Sequence, residues 1–153
     1  MNAHESFSQQ LDAAVASGET QAALLRRVLE RFDAQTGTIH RLDSATGRLK
    51  LVAQIGIPEA LLARIGDIPL GKGIAGAAAL DRKAVNICNL QSDASGVARP
   101  DAKLTLMEGA LAVPMLVDGQ MRGTLGVGKK SAHQWSDSET RELEEIAAKL
   151  GGI

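Results

Sequence analysis

Three glycines stand where phosphate chemistry is commonly done. In PLGKGIAGAAALDRKAVNICNL (69–90), Gly71, Gly73 and Gly76 are spaced G-x-G-x-x-G, and Asp93 follows about twenty residues after the first, which is the arrangement of a dinucleotide-binding turn. In such a turn the glycines let the backbone approach a pyrophosphate at a helix N-terminus, and the acid takes a ribose hydroxyl. The neighbouring residues argue against it. That turn follows a buried, continuously apolar strand and opens a long crossover helix. Here IGDIPL precedes the glycines: Gly66 and Asp67 interrupt the strand, and Pro69 removes a ladder donor. The helix that follows has room for about nine residues, short for a crossover. A phosphate-binding P-loop would need Gly-Lys-Ser/Thr, which does not follow. The glycines are therefore read as permitting a tight strand-to-helix corner with close backbone packing.

The other reactive side chains are sparse. Cys88 is the single cysteine, so an intrachain disulfide and a thiolate metal cluster are both excluded. On a strand at Ala84 to Cys88 its expected role is that of a small buried hydrophobe. His4, His40 and His133 lie in different elements, without an H-x-x-x-H pair, and no metal site is expected. There is no G-x-S-x-G elbow for acyl transfer. Glu144 and Glu145 belong to an amphipathic helix, where carboxylates ordinarily form a solvated face. Arg99 and Lys103, in the polar segment QSDASGVARPDAK (91–103), suit a carboxylate or phosphate, since Arg offers a bidentate fork. The same residues also read as ordinary solvated loop charges. Loops longer than about 12 residues are often functional.

Composition narrows the classes of partner. The 153 residues suffice for one ordinary domain with one core. Net charge is −1, from 17 basic and 18 acidic residues, so no electrostatic footprint for nucleic acid or anionic lipid is expected. Aromatic residues make up 2% and tyrosine is absent, which leaves no base-stacking platform. The start, MNAHESFSQQ, has neither a cationic nor an apolar stretch and reads as no signal peptide. No apolar run approaches the roughly 20 residues that cross a bilayer. A cytoplasmic location is the expectation.

The elements that must position these residues alternate between two periods. Phe7, Leu11, Ala14 and Val15 fall at helical spacing up to Gly18; Thr20 then caps a second helix with Leu24, Leu25, Val28, Leu29 and Phe32 in its stripe, ending near Gly37. TIHRLDSATGRLKLVAQ reads as two strands about a turn at Asp43 to Gly47, with Leu49, Leu51 and Ala53 on one face. Pro58 to Ile65 is a short helix, followed by the glycine corner and a helix from Ile74 to about Arg82. The strongest strand signal is ALAVPMLV and QMRGTLGVG flanking Asp118-Gly119, a dipeptide of type I′ turns, in which both central residues take positive φ. Ser136 and Glu139 are spaced as a capping box for a closing helix with Leu143, Ile146, Ala147 and Leu150 inward.

This order of elements resembles a GAF domain. PLGKGIAGAAALDRKAVNICNL is similar to that family's strand-to-helix corner, AVPMLVDGQMRGTLGV to its central hairpin, and WSDSETRELEEIAAKL to its last helix. The resemblance implies an α+β, profilin-like fold: an antiparallel sheet of about six strands, terminal helices on one face, and short helices and loops over the other. The implied division is a helical segment at 1–18 in dimer contact, one GAF domain at 19–150 and a tail at 151–153.

What GAF membership implies about activity is small-molecule sensing through a partner or a parent protein. The implied ligand site lies between sheet, corner helix and long loop, at Gly73, Ile74, Cys88, Arg99, Asp101, Lys103, Glu108 and Leu111. The cofactor and the ligand are not named by the sequence. A homodimer is expected through the stripes on Phe7 to Val15 and Leu143 to Leu150. One branch of the family reduces free methionine-R-sulfoxide with a nucleophilic and a resolving cysteine. That branch places one cysteine in the glycine corner, where this chain has Ala75, and another in the loop at 91–103, which has none. Its W-x-G-F-Y strand is replaced by TIHRL. The family's bilin-attaching Cys-His pair and its N-K-F-D-E cyclic-nucleotide signature are missing too, and for haem only His40 lies on a sheet strand. A redox enzyme using Cys88 with an outside reductant is the second reading. A dimerisation module whose pocket is filled by its own Leu, Ile and Val is the third.

Overall fold

A computed structural model of the chain describes residues 6–91, 97 and 107–153. The described elements are α1 (Phe7–Ala16), α2 (Gln21–Phe32), β1 (Thr36–Asp43), β2 (Arg48–Ile55), α3 (Glu59–Ile65), β3 (Asp67–Pro69), α4 (Gly73–Asp81), β4 (Val85–Ile87), β5 (Gly109–Val117), β6 (Gln120–Lys129) and α5 (Asp137–Gly151). The strands form one six-stranded sheet in the order β3-β2-β1-β6-β5-β4. Every pairing is antiparallel.

Local chemistry sets the boundaries. Thr20 and Ser136 accept hydrogen bonds from Ala23 N–H and Glu139 N–H at 3.1 and 3.0 Å, and Glu139 returns the bond to Ser136 N–H, completing the capping box. The α2 helix stops at Phe32, before Gly37, because Asp33 takes the left-handed conformation (φ 52°) and its N–H closes back on the last turn. At the β5–β6 turn Asp118 and Gly119 both have positive φ, 51° and 78°, as a type I′ turn requires.

α1, α2 and α5 cover one face of the sheet. Leu11, Val28, Leu143, Ile146 and Leu150 interlock there with Ile39, Val113, Met115 and Leu125. Burying such a Leu or Ile is worth about 1.5–3 kcal/mol, and this layer is the main core. The apolar stripes of α1 and α5 are thus consumed inside the chain's own core. Arg41 locks the layer: its guanidinium donates to the carbonyls of Leu150 at 2.6 Å and Gly151 at 3.2 Å, and to Gln21 Oε1 at 3.2 Å. It thereby satisfies carbonyls that the end of α5 leaves open.

One expectation about the sheet fails. Ile39 pairs with Ala53 and His40 with Leu51, so Val52 is an extra residue in β2. This bulge switches the faces: Ala53 joins the helix-side core while Leu49 packs with Ile68 and Ala79 on the other side. Leu49, Leu51 and Ala53 therefore do not share one face. A second bulge sets Arg122 and Gly123 opposite Met115. A Cβ on Gly123 would collide with the His40 carbonyl oxygen, which keeps this position a glycine. Among the described residues no helix is long and apolar enough to cross a membrane.

Candidate functional site between the sheet and the glycine corner

The second face of the sheet is covered by α3 and α4, and a cavity of about 180 Å³ lies between them and the strands. Its floor follows from the sequence of the central strands. Along β5, Leu111, Val113 and Met115 point to the helix core, while Ala110 and Ala112 alternate with them. Along β6, Leu125 and Val127 point to that core, while Gly126 and Gly128 face the cavity. In the register Gly128 lies opposite Ala110 and Gly126 opposite Ala112, so four small residues meet and leave room. Ile57, Leu61, Ile68, Ile74, Leu90 and Met107 supply apolar walls.

The glycine corner hangs over this floor. Gly71 and Gly73 have φ of 87° and 70°, a region costly to other residues. Gly71 N–H donates to the Gly76 carbonyl at 2.8 Å, and a Cβ on Gly76 would stand 2.7 Å from the Pro69 carbonyl oxygen. The glycines thus turn a tight corner with backbone against backbone, as the residues around them indicated. That turn carries Gly73, Ile74 and Ala75, the first turn of α4, to the cavity wall. Lys72, the N-cap, offers no capping oxygen, and among the described residues nothing accepts from the first N–H groups of α4. Lys72 and Arg64 both line the cavity and are exposed.

From the floor, β1 contributes Thr36, Thr38 and His40. His40 is 2% exposed, and its Nε2 lies 2.8 Å from the Ile65 carbonyl. A carbonyl only accepts, so Nε2 carries the hydrogen and Nδ1 holds the lone pair. Burial pushes the imidazole below its usual range, more strongly than the Ile65 carbonyl pulls it up. His40 is therefore neutral and pins β1 to the end of α3. Among the described residues Nδ1 is buried without a partner, as is the hydroxyl of Thr124, directly opposite on β6.

The residues expected at a ligand site separate into groups. Gly73 and Ile74 stand in the wall. Leu111 touches the cavity, but its side chain belongs to the helix-side core, because it pairs with Val127 on that face. Glu108 is off the wall; its carboxylate accepts from Asn89 Nδ2 at 3.4 Å. Cys88 is exposed, just past the end of β4, and does not line the cavity. It is not the buried hydrophobe expected, because β4 ends at Ile87 and the chain bends away there. Arg99, Asp101, Lys103 and Asp93, with nearly all of the 91–103 segment, lie outside the described residues. Thr36, Thr38, Ala110, Ala112, Gly126 and Gly128 were not singled out from the sequence. The signal was present, in the large–small alternation of LAVPM and GTLGVG, which marks one face as core and the other as floor.

Known structures share this fold. The GAF domain of an Acinetobacter phosphoenolpyruvate-protein phosphotransferase superposes with a TM-score of 0.79 at 18% identity, covering 95% of this chain and 89% of that one. Free methionine-R-sulfoxide reductase from Neisseria meningitidis, solved with its substrate, gives 0.76 at 20% identity over 99% and 92%. A protein described as a GAF sensor from Burkholderia vietnamiensis gives 0.73 at 22% identity over 95% and 88%. At these identities the similarity speaks to the fold. No functionally curated protein matches the chain. The sequence pattern of the GAF domain matches residues 16–153, nearly the whole chain, and with the six-stranded sheet and its two helical layers it establishes that this chain belongs to the GAF domain family.

Proposed function

We propose that this GAF domain is a non-catalytic sensor: a small molecule occupies the cavity beneath α4, and the response passes to a partner or to a parent protein. The observation that carries the reading is the apolar cavity floored by Gly126, Gly128, Ala110 and Ala112 and bordered by free backbone donors of α4. Concave, mostly apolar spaces with a few convergent polar groups are the ordinary form of ligand sites. Transmission has a physical route as well. α4 packs on β5 and β6 from one side and α5 packs on the same strands from the other, so a ligand that prefers one position of α4 biases the helix layer.

Native mass spectrometry of freshly purified protein, beside an Ala112→Leu variant, tests this. Extra mass that is lost on denaturation and missing from the variant is the expected result, because Leu at 112 fills the floor. Equal extra mass in both proteins would place the ligand elsewhere and overturn the reading.

A redox function is favoured by one observation, the exposed thiol of Cys88. Its thiolate would attack a sulfoxide sulfur and take the oxygen as sulfenic acid, releasing the thioether. One outside thiol would then form a mixed disulfide with loss of water, and a second would free the Cys88 thiol as the outside disulfide leaves. Turnover of free methionine-R-sulfoxide that Cys88→Ser abolishes would establish it. A homodimer would need surfaces other than the inward stripes of α1 and α5, which fill the core.

A further inference from the structure

Resting on the sensor reading, we propose the class of ligand: a small organic monocarboxylate with a compact apolar body, its carboxylate on the opening turn of α4 beside Lys72 and its body on the glycine–alanine floor. Four observations converge. First, the space is small. A cavity of about 180 Å³ is close to the roughly 150 Å³ that accommodates benzene in an apolar core. A ring or a branched chain of about six carbons fits; a nucleotide or a haem does not.

Second, α4 presents unaccepted donors at the wall, while the unpaired Nδ1 of His40 on β1 is an acceptor. The N–H groups that open α4 point along the helix axis, toward which its dipole also draws negative charge. α4 is nine residues long, a full enough helix for this. Third, Lys72 adjoins that turn and is exposed, with no ion pair among the described residues. One carboxylate meets Lys72 and the opening amides of α4, and a second charge placed deeper would lie against the apolar walls.

Fourth, Thr36 borders the same space. It is 6% exposed, on the cavity face of β1, and its hydroxyl makes no hydrogen bond among the described residues. It lies against Gly128, where Met107 also approaches; Met107 belongs to the apolar cluster against which Ile74 of α4 packs. A hydroxyl on the cavity face offers a ligand oxygen a donor.

The test uses the whole chain and four probes: 4-methylpentanoate and phenylacetate, with their neutral amides. Binding is read by chemical-shift titration of backbone amides. Both carboxylates are expected to shift Gly73, Ile74 and Ala75, and the amides to bind at least about tenfold more weakly, as loss of charge-assisted bonds implies. Lys72→Ala is expected to weaken carboxylate binding up to about fivefold and leave the amides unchanged. Thr36→Val, equal in shape, reports the hydroxyl through a further loss of carboxylate affinity. Amides binding as tightly as acids would overturn the carboxylate class while leaving the cavity as a ligand site. Probes that shift neither α4 nor the floor would overturn the proposal, and the Ala112→Leu mass comparison then decides the sensor reading separately. Unchanged thermal unfolding of each variant excludes misfolding as the cause.

Discussion

Gly76 decides whether the glycine corner is a structural device. Replacing it with alanine has two opposed effects. Gly76 lies inside α4, where alanine is intrinsically favoured over glycine by about 1 kcal/mol. Against this, the new Cβ would stand 2.7 Å from the Pro69 carbonyl oxygen and 3.2 Å from Gly71 N. Both neighbours are backbone atoms, held by the Gly71 N–H to Gly76 carbonyl bond at 2.8 Å, so no flexible side chain can move aside. Relieving such a contact costs about 1–3 kcal/mol and sometimes more. The steric effect is expected to win, with a net loss of about 1–2 kcal/mol. For a chain of this length that lowers the unfolding midpoint by about 2–8 °C. Thermal unfolding followed by circular dichroism measures it. A midpoint that rises would show that propensity dominates and that close packing does not require glycine here, which would reopen the question of what else the G-x-G-x-x-G spacing serves.

Other predictions follow from single contacts. Gly119→Ala has open space around its Cβ but φ of 78°, so it isolates backbone strain and is expected to cost about 1 kcal/mol in urea unfolding. Arg41→Met removes the bonds to the Leu150 and Gly151 carbonyls and is expected to cost about 2 kcal/mol, with faster amide exchange in the last turn of α5. Burial lowers the His40 pKa, so the unfolded chain takes up a proton that the folded one refuses. Stability is therefore complete above about pH 6.5 and falls as pH drops below it; His40→Gln is expected to flatten that slope in urea midpoints measured at about pH 7.5 and 5.5. Light scattering is expected to give a 16.0 kDa particle if the α1 and α5 stripes stay inward, and a doubled mass would require another interface.

Much of the fold is legible in the sequence because its signals are local. Thr20, Ser136 with Glu139, and Asp118-Gly119 each specify a cap or turn through their own hydrogen bonds or φ preference, and each forms as read. The helical stripes are equally direct, since a period of 3.6 needs no knowledge of the partner surface. What the local signals missed is long-range. Val52 carries no mark of a bulge, yet the offset between Ile39 and His40 moves Ala53 to the opposite face from Leu49. Cys88 fell outside its strand for a similar reason: the pairing of β4 with β5 ends at Ile87 opposite Ala110, and only the partner strand fixes that end.

The cavity lies between these cases. Its floor was written in the alternation of β5 and β6, but a run of alanine and glycine on one face is equally compatible with close helix packing. What keeps the space open is the height of α4, which the glycine corner sets. Gly76 lets the helix approach Pro69 of the edge strand β3, and the left-handed turns at Gly71 and Gly73 bring its first turn to the cavity wall. The same three glycines that suggest a nucleotide site by their spacing instead shape a smaller space, bounded by apolar walls and the opening turn of α4. The corner and the floor are therefore one device. If so, Gly76→Ala should weaken carboxylate probes as well as lower the unfolding midpoint, whereas Gly18→Ala, strained at φ 81° in the α1–α2 turn on the other face of the sheet, should leave probe affinity unchanged. Equal loss of affinity in both variants would mean that binding tracks global stability, and the proposed coupling of corner to cavity would fall.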